Sequence, residues 1–170
     1  DRITEILYKG VLRERDYAED FDIAKLEQDL EEEKKLDVFI DSYDKEYNKD
    51  NNRPWTKGRK RASALNEASR ILHLMDPKTY SQPDSWVRSL TQEGGAIGRA
   101  DITPNRFAAL TFELMERRQK KTGLVFVIDE VGQYVSRSVD KMLDLQAIVQ
   151  ALGVESKNRV ASKKAVAPTW

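Results

Sequence analysis

The chain has 170 residues, 34% of them charged and 39% apolar, with a formal net charge of +0, one histidine and no cysteine. That length supports a domain with a real core, and the charge balance suits a soluble, helix-rich protein rather than a disordered one. Neutrality removes any global pull toward nucleic acid or an anionic membrane, and the lack of cysteine excludes disulfides and thiolate metal sites.

A cysteine-free chain fits a reducing cytoplasm, and a lone histidine argues against structural zinc. No apolar stretch approaches the length needed to span a bilayer, and no signal peptide is visible. The chain opens at Asp1 and stops at Trp170 just after Pro168-Thr169, so both ends are expected to be cuts in a longer protein.

Helical periodicity dominates the first half. Ile3, Leu7 and Val11 share a stripe, with Ile6 beside it. Ile23, Leu26 and Leu30 repeat the pattern behind the capping candidates Asp20 and Asp22. Leu36, Phe39, Ile40, Tyr43 and Tyr47 form a further amphipathic stripe. The run Glu31-Glu32-Glu33-Lys34-Lys35 between them reads as a solvated face. Lys49-Asp50-Asn51-Asn52-Arg53-Pro54 breaks the pattern as a polar loop.

A long helix is expected around 55–75, burying Ala62, Leu65, Ser69, Leu72 and Met75. Asp76-Pro77 stops it, because proline disfavours helical geometry at the residue before it. A short helix near 83–90 places Trp86 and Leu90 on one side. Gly94, Gly95 and Gly98 mark a flexible connection. Thr103-Pro104 reads as an N-cap followed by proline at the first helical position. The helix that follows carries Phe107, Leu110 and Leu114 inward and ends near Arg117-Arg118-Gln119-Lys120-Lys121, where cations complement the helix dipole.

Leu124-Val125-Phe126-Val127-Ile128 then runs straight into Asp129-Glu130, with Gly132 close behind. Five apolar, largely β-branched residues between a glycine and two acids predict a strand buried on both faces. Ser138 or Asp140 starts another helix, expected to reach about Leu152 and to stop at Gly153. Met142, Leu143, Leu145, Ile148, Val149 and Leu152 leave it little polar surface, so a sheet or neighbours should cover it. Lys157 to Lys164 reads as a basic loop, and Val166 to Trp170 as the approach to another strand. Helix, strand, helix and strand start predict the α/β class, doubly wound. Residues 1–100 then form a helical segment joined to, or inserted in, an α/β layer at 101–170.

An acidic pair at the carboxyl end of a buried strand lies where open α/β sheets bind ligands. It matches the Walker B arrangement of P-loop ATPases. Asp129 would sit on the magnesium shell and Glu130 would polarise the attacking water. The phosphate-cradling Gly-x-x-x-x-Gly-Lys-Ser/Thr occurs nowhere in the chain, and Gly94-Gly95-Ala96-Ile97-Gly98-Arg99 lacks its Lys-Ser/Thr pair. Lys57, Arg59, Lys60 and Arg61 beside Trp55 form a basic cluster that can meet nucleic-acid phosphates, although a solvated helix start is the blander reading. Lys157, Arg159, Lys163 and Lys164 form a second one. Arg117 and Arg118 are open to ion pairing or to an arginine-finger role, and His73 reads as structural or exposed.

The wording around the acids is more specific than a generic Walker B. Gly123 to Val135, containing Asp129-Glu130-Val131-Gly132-Gln133-Tyr134, and Asp140-Lys141-Met142-Leu143-Asp144-Leu145-Gln146 resemble the large P-loop ATPases of the BREX phage-exclusion systems, the BrxC/PglY family. Phe21 to Glu27, Ala68 to Leu72 and Asp76 to Tyr80 are also similar to that family. The resemblance implies an AAA+-like ATPase using ATP and Mg2+ in a bacterial antiviral defence complex that distinguishes self from phage DNA. It further implies Asp129 at the magnesium ion, Glu130 as the hydrolytic glutamate, and a mostly helical fragment around a buried Walker B strand. A methyltransferase, a PglZ-type protein, self-association and DNA would be the partners, without a membrane. Rival expectations are a non-catalytic helical interaction module and a nucleic-acid-binding domain using the basic clusters.

Overall fold

The computed structural model describes residues 3–92, 102–118, 123–128, 132 and 138–164. The chain divides into two compact units. One is Asp16–Ala100; the other joins Asp1–Arg15 to Asp101–Trp170. The described helices are α1 (Ile3–Glu14), α2 (Phe21–Glu32), α3 (Leu36–Tyr47), α4 (Trp55–Gly58), α5 (Ala64–Met75), α6 (Ser85–Gln92), α7 (Pro104–Arg117) and α8 (Val139–Ala161).

Among the described residues there is no strand, so the expected α/β class with a buried Walker B strand is overturned. Leu124 makes only an isolated bridge. A strand needs a neighbour to take its backbone N–H and C=O groups, and a β-branched run cannot supply that neighbour from its own sequence.

In the 16–100 unit, α2, α3 and α5 pack around Ile23, Leu26, Phe39, Tyr43, Trp55 and Ile71. Asp20 caps α2 by accepting from the Asp22 and Ile23 amides at 3.1 Å. The α2 end is closed by a left-handed Lys34 (φ 59°), with the Lys35 amide donating to the Leu30 carbonyl at 2.7 Å. Trp55 meets Phe39 edge-on at 5.0 Å and Tyr43 at 4.9 Å.

The single helix expected over 55–75 is instead broken between α4 and α5, and Ala62 is exposed rather than buried. Packing explains the break. Gly58 lies so close to Tyr43 that an added Cβ would fall 2.0 Å from the tyrosine hydroxyl, and the next residue, Arg59, reaches back to Glu27. As expected, α5 ends before Asp76-Pro77.

Two buried carboxylates organise this core. Glu27, 1% exposed, accepts from the Trp55 indole N–H at 2.7 Å, the Ala18 amide at 2.7 Å and Arg59 at 3.0 Å. Glu67 accepts from the Tyr43 hydroxyl at 2.8 Å and pairs with Arg53. Burial pushes the Glu67 carboxyl up, but hydrogen bonds from Ser63, Tyr43 and Arg53 outweigh it and hold it below the ordinary glutamate range. Burial, with the bond to Glu67, pushes the Tyr43 hydroxyl well above its usual value.

In the other unit, α7 packs on α1 and α8 through Phe107, Ala108, Phe112, Leu114 and Met115. Thr103 caps α7 with Pro104 in its first turn, as the sequence predicts. Arg15 donates to the Arg118 carbonyl at 2.9 Å, and Arg118 donates back to the Arg15 carbonyl at 3.2 Å. Burial pulls the Arg15 guanidinium below its ordinary value.

Ser138 caps α8, which does not stop at Gly153 but runs on to Ala161. Arg159, expected in a basic loop, is therefore helical and buried. It pairs with Glu116 at 2.5 Å and Glu155 at 2.9 Å, and its guanidinium lies over the Phe112 ring. The pair with Glu116 and the contact with Phe112 fasten the last turns of α8 to α7.

Candidate functional site

Asp129 and Glu130, the residues expected to work on magnesium and water, lie outside the described residues. So do Gln133, Tyr134 and the segment from Gly94 to Arg99. The approach to the acids is described, and it differs from the expectation. Leu124 is buried and the Phe126 ring sits 5.7 Å from Phe107, whereas Val125 is 61% exposed and Val127 88%. Leu124 and Phe126 thus turn inward while Val125, Val127 and the 39% exposed Ile128 meet solvent, so the segment is not buried on both faces. Among the described residues no group of three or more carboxylate or imidazole side chains converges to hold a metal ion. A fit to Mg2+ and ATP accordingly rests on Asp129 and Glu130.

Of the α8 residues expected to be covered, Ile148 is buried and Leu145 and Leu152 are half-buried, but Met142, Leu143 and Val149 are open. Val139, Met142, Leu143, Val149 and Val154 are all more than half exposed. At 3.6 residues per turn they fall on one arc with the uncharged Gln146.

The structure separates the basic cluster near Trp55 into two kinds of residue. Arg59 has a side chain only 8% exposed and is held by Glu27 and by Asp16 at 2.7 Å. Burial pulls its guanidinium down, but Glu27 and Asp16 outweigh this and leave it above the ordinary arginine value. Lys57, Lys60 and Arg61 are exposed. Lys60 and Arg61 line a shallow cleft with Glu19 and Asp20, whose carboxylates weaken it as a seat for phosphate. His73 is half-buried, with Nδ1 2.6 Å from the Tyr80 carbonyl, so Nδ1 carries the proton and the residue is structural.

The sequence reading missed a groove of ≈ 660 Å³ in the 16–100 unit, bounded by α2, α5 and residues up to Trp86. Its floor is apolar, from Leu26, Leu30, Leu72, Met75, Tyr80 and Trp86. Its rim carries five carboxylates, of Asp22, Asp29, Glu32, Glu33 and Asp76, against the two lysines Lys25 and Lys35. Both lysines are paired within the rim, Lys25 with Asp29 and Lys35 with Glu33. Hydrogen bonds from Thr79 hold the Asp76 carboxyl below its usual range, so it stays ionised. The signal lay in the Glu31-Glu32-Glu33 run, which reads as mere solvation until α5 and Trp86 are brought beside it.

No protein-family model matches the chain, and no solved structure matches it. Among the described residues no helix is long and apolar enough to cross a membrane.

Proposed function

We propose that the chain is part of an ATP-hydrolysing protein of the kind used by BREX phage-exclusion systems, with Asp129 and Glu130 as its working acids. The run Gly123 to Val135 carries this reading, because there an apolar segment meets two adjacent carboxylates in the wording of that family. The uncovered face of α8 and the exposed Val125 and Val127 support it, since apolar surface of this kind is normally covered in an assembled enzyme. Asp129 is the acid associated with magnesium, and Glu130 orients the attacking water. The phosphate loop is supplied elsewhere in the parent protein. That parent works in the cytoplasm, self-associates as ATPases of this kind do, and acts on DNA, directly or through a methyltransferase and a PglZ-type protein.

The test belongs in the parent protein. Glu130→Gln should retain ATP binding and lose turnover, while Asp129→Asn should weaken magnesium-dependent binding. Unchanged hydrolysis in both variants sinks the assignment.

A helical protein-interaction module is the second reading, and the acidic, apolar-floored groove favours it. Direct nucleic-acid binding by this chain would fall to Lys57, Lys60 and Arg61, with Arg59 already engaged by Glu27 and Asp16. A DNA titration at low salt with Lys60→Glu and Arg61→Glu checks it, and equal binding by wild type and variant removes that role.

A further inference from the structure

We propose that the acidic groove of the 16–100 unit receives the basic C-terminal end of α8 from a second copy of the chain. This contact would give the self-association proposed above a surface, but it uses neither Asp129 nor Glu130, so its failure leaves the ATPase assignment of those acids untouched.

Charge complementarity is the first argument. The groove rim carries five carboxylates against two lysines, while the whole chain has a net charge of +0. The excess is therefore balanced elsewhere in the same sequence. The end of α8 concentrates Lys157, Lys163 and Lys164 on exposed positions, with the 64% exposed Val160 among them. An exposed apolar side chain with three lysines within four positions of it in sequence is the counterpart of an apolar floor rimmed by carboxylates.

Shape fixation is the second argument. The α8 end is closed by a left-handed Lys163 (φ 56°), with the Lys163 amide donating to the Val160 carbonyl at 3.1 Å and the Lys164 amide to the Arg159 carbonyl at 2.8 Å. Arg159 fastens the same turn to Glu116 and Glu155. On the other side, the Lys34 turn at the end of α2 holds Glu32 and Glu33 in place, and the His73 bond to the Tyr80 carbonyl secures the opposite wall. Little ordering entropy remains to be lost when such preorganised surfaces meet. Groove and helix end are different surfaces, so the contact is head-to-tail and extends to rings or chains of copies.

Charge swapping in the 170-residue chain tests this by sedimentation velocity across protein concentration. Wild type should self-associate at low salt, and the association should weaken about tenfold or more at an ionic strength of about 0.5 M. Glu32→Lys with Glu33→Lys should abolish it. Those substitutions lie at the exposed end of α2, where cations suit the helix dipole, so the fold should survive. Lys163→Glu with Lys164→Glu should abolish it as well. An equimolar mixture of the two variants should restore association, because the intact helix end of one meets the intact groove of the other and the two reversed surfaces also complement each other; restoration also shows that both variants are folded.

A wild type that stays monomeric at low salt overturns the proposal. So does association that resists either reversal, which would point to the apolar face of α8. Loss on groove reversal alone assigns the groove to another occupant and overturns it too, as does a mixture that fails to re-associate.

Discussion

In the 16–100 unit an aromatic cluster is closed off by two buried carboxylates, each with several donors. In the unit made of Asp1–Arg15 and Asp101–Trp170, by contrast, the longest helix leaves an apolar arc to solvent. The first unit satisfies its polar groups internally: Glu27 takes a Trp55 N–H, an amide and a guanidinium, and Glu67 a tyrosine hydroxyl and a guanidinium. The second has its own inner packing at Phe107, Phe112 and Met115, fastened by Arg159, yet keeps Met142, Leu143, Val149 and Val154 outside. The apolar side chains named for the first unit are buried, whereas those of the second unit's longest helix are in part left to solvent. Both units bury charge only in pairs, Glu27 with Arg59 in the first and Arg159 with Glu116 in the second, so the difference lies in the apolar side chains of α8 that no neighbour covers.

Breaking the first unit at Glu27 should have the largest effect. Glu27→Ala leaves Arg59 with one carboxylate partner fewer in a buried site and strands the Trp55 N–H and the Ala18 amide, so a loss of about 3–5 kcal/mol is expected. Urea unfolding followed by circular dichroism measures it, and a loss below about 1 kcal/mol would mean the network is not structural. Gly58→Ala comes next, at about 1–3 kcal/mol, because the new methyl group must push Tyr43 away from Glu67. A loss below about 0.5 kcal/mol would show that Tyr43 gives way without cost, and the steric account then fails.

The Tyr43–Glu67 pair gives a pH signature with a definite sign. The Glu67 carboxyl is held below its unfolded value, so its contribution is present at neutral pH and is lost as pH falls through the acidic range. The Tyr43 hydroxyl is raised, so its contribution persists to high pH and is lost only as pH climbs above the ordinary tyrosine value. Denaturation midpoints of wild type and Glu67→Gln should therefore converge on acidification; parallel curves would break the argument. Smallest of all should be Val149→Ser with Val154→Ser on α8. Within about 0.5 kcal/mol of wild type is expected for side chains this exposed, and a larger loss would show that the face is covered within the chain.

Much of the helical scaffold was legible in the residues. Asp20 as the cap of α2, Thr103-Pro104 at the start of α7 and Asp76-Pro77 at the end of α5 are local devices, decided by side chains within a few positions of the backbone they serve. The candidate groove was not legible. Its rim is spread from Asp22 to Asp76 and its floor reaches Trp86, so no window of sequence holds it. Arg59 and Arg159 show the same limit, since both read as surface cations and both are buried against carboxylates distant in sequence.

By itself the sequence determined what is local and periodic: the starts of α2 and α7, the end of α5, the inward stripes of α2 and α3, and the adjacency of Asp129 and Glu130. Tertiary structure decided where α4 breaks from α5, which cations are buried, and that Phe126 packs on Phe107 of α7 while Val125, Val127 and Ile128 meet solvent. The physical reason is that capping and amphipathic spacing act over one or two turns of chain. Burial, ion pairing and strand pairing depend instead on partners that the fold brings from far away in sequence.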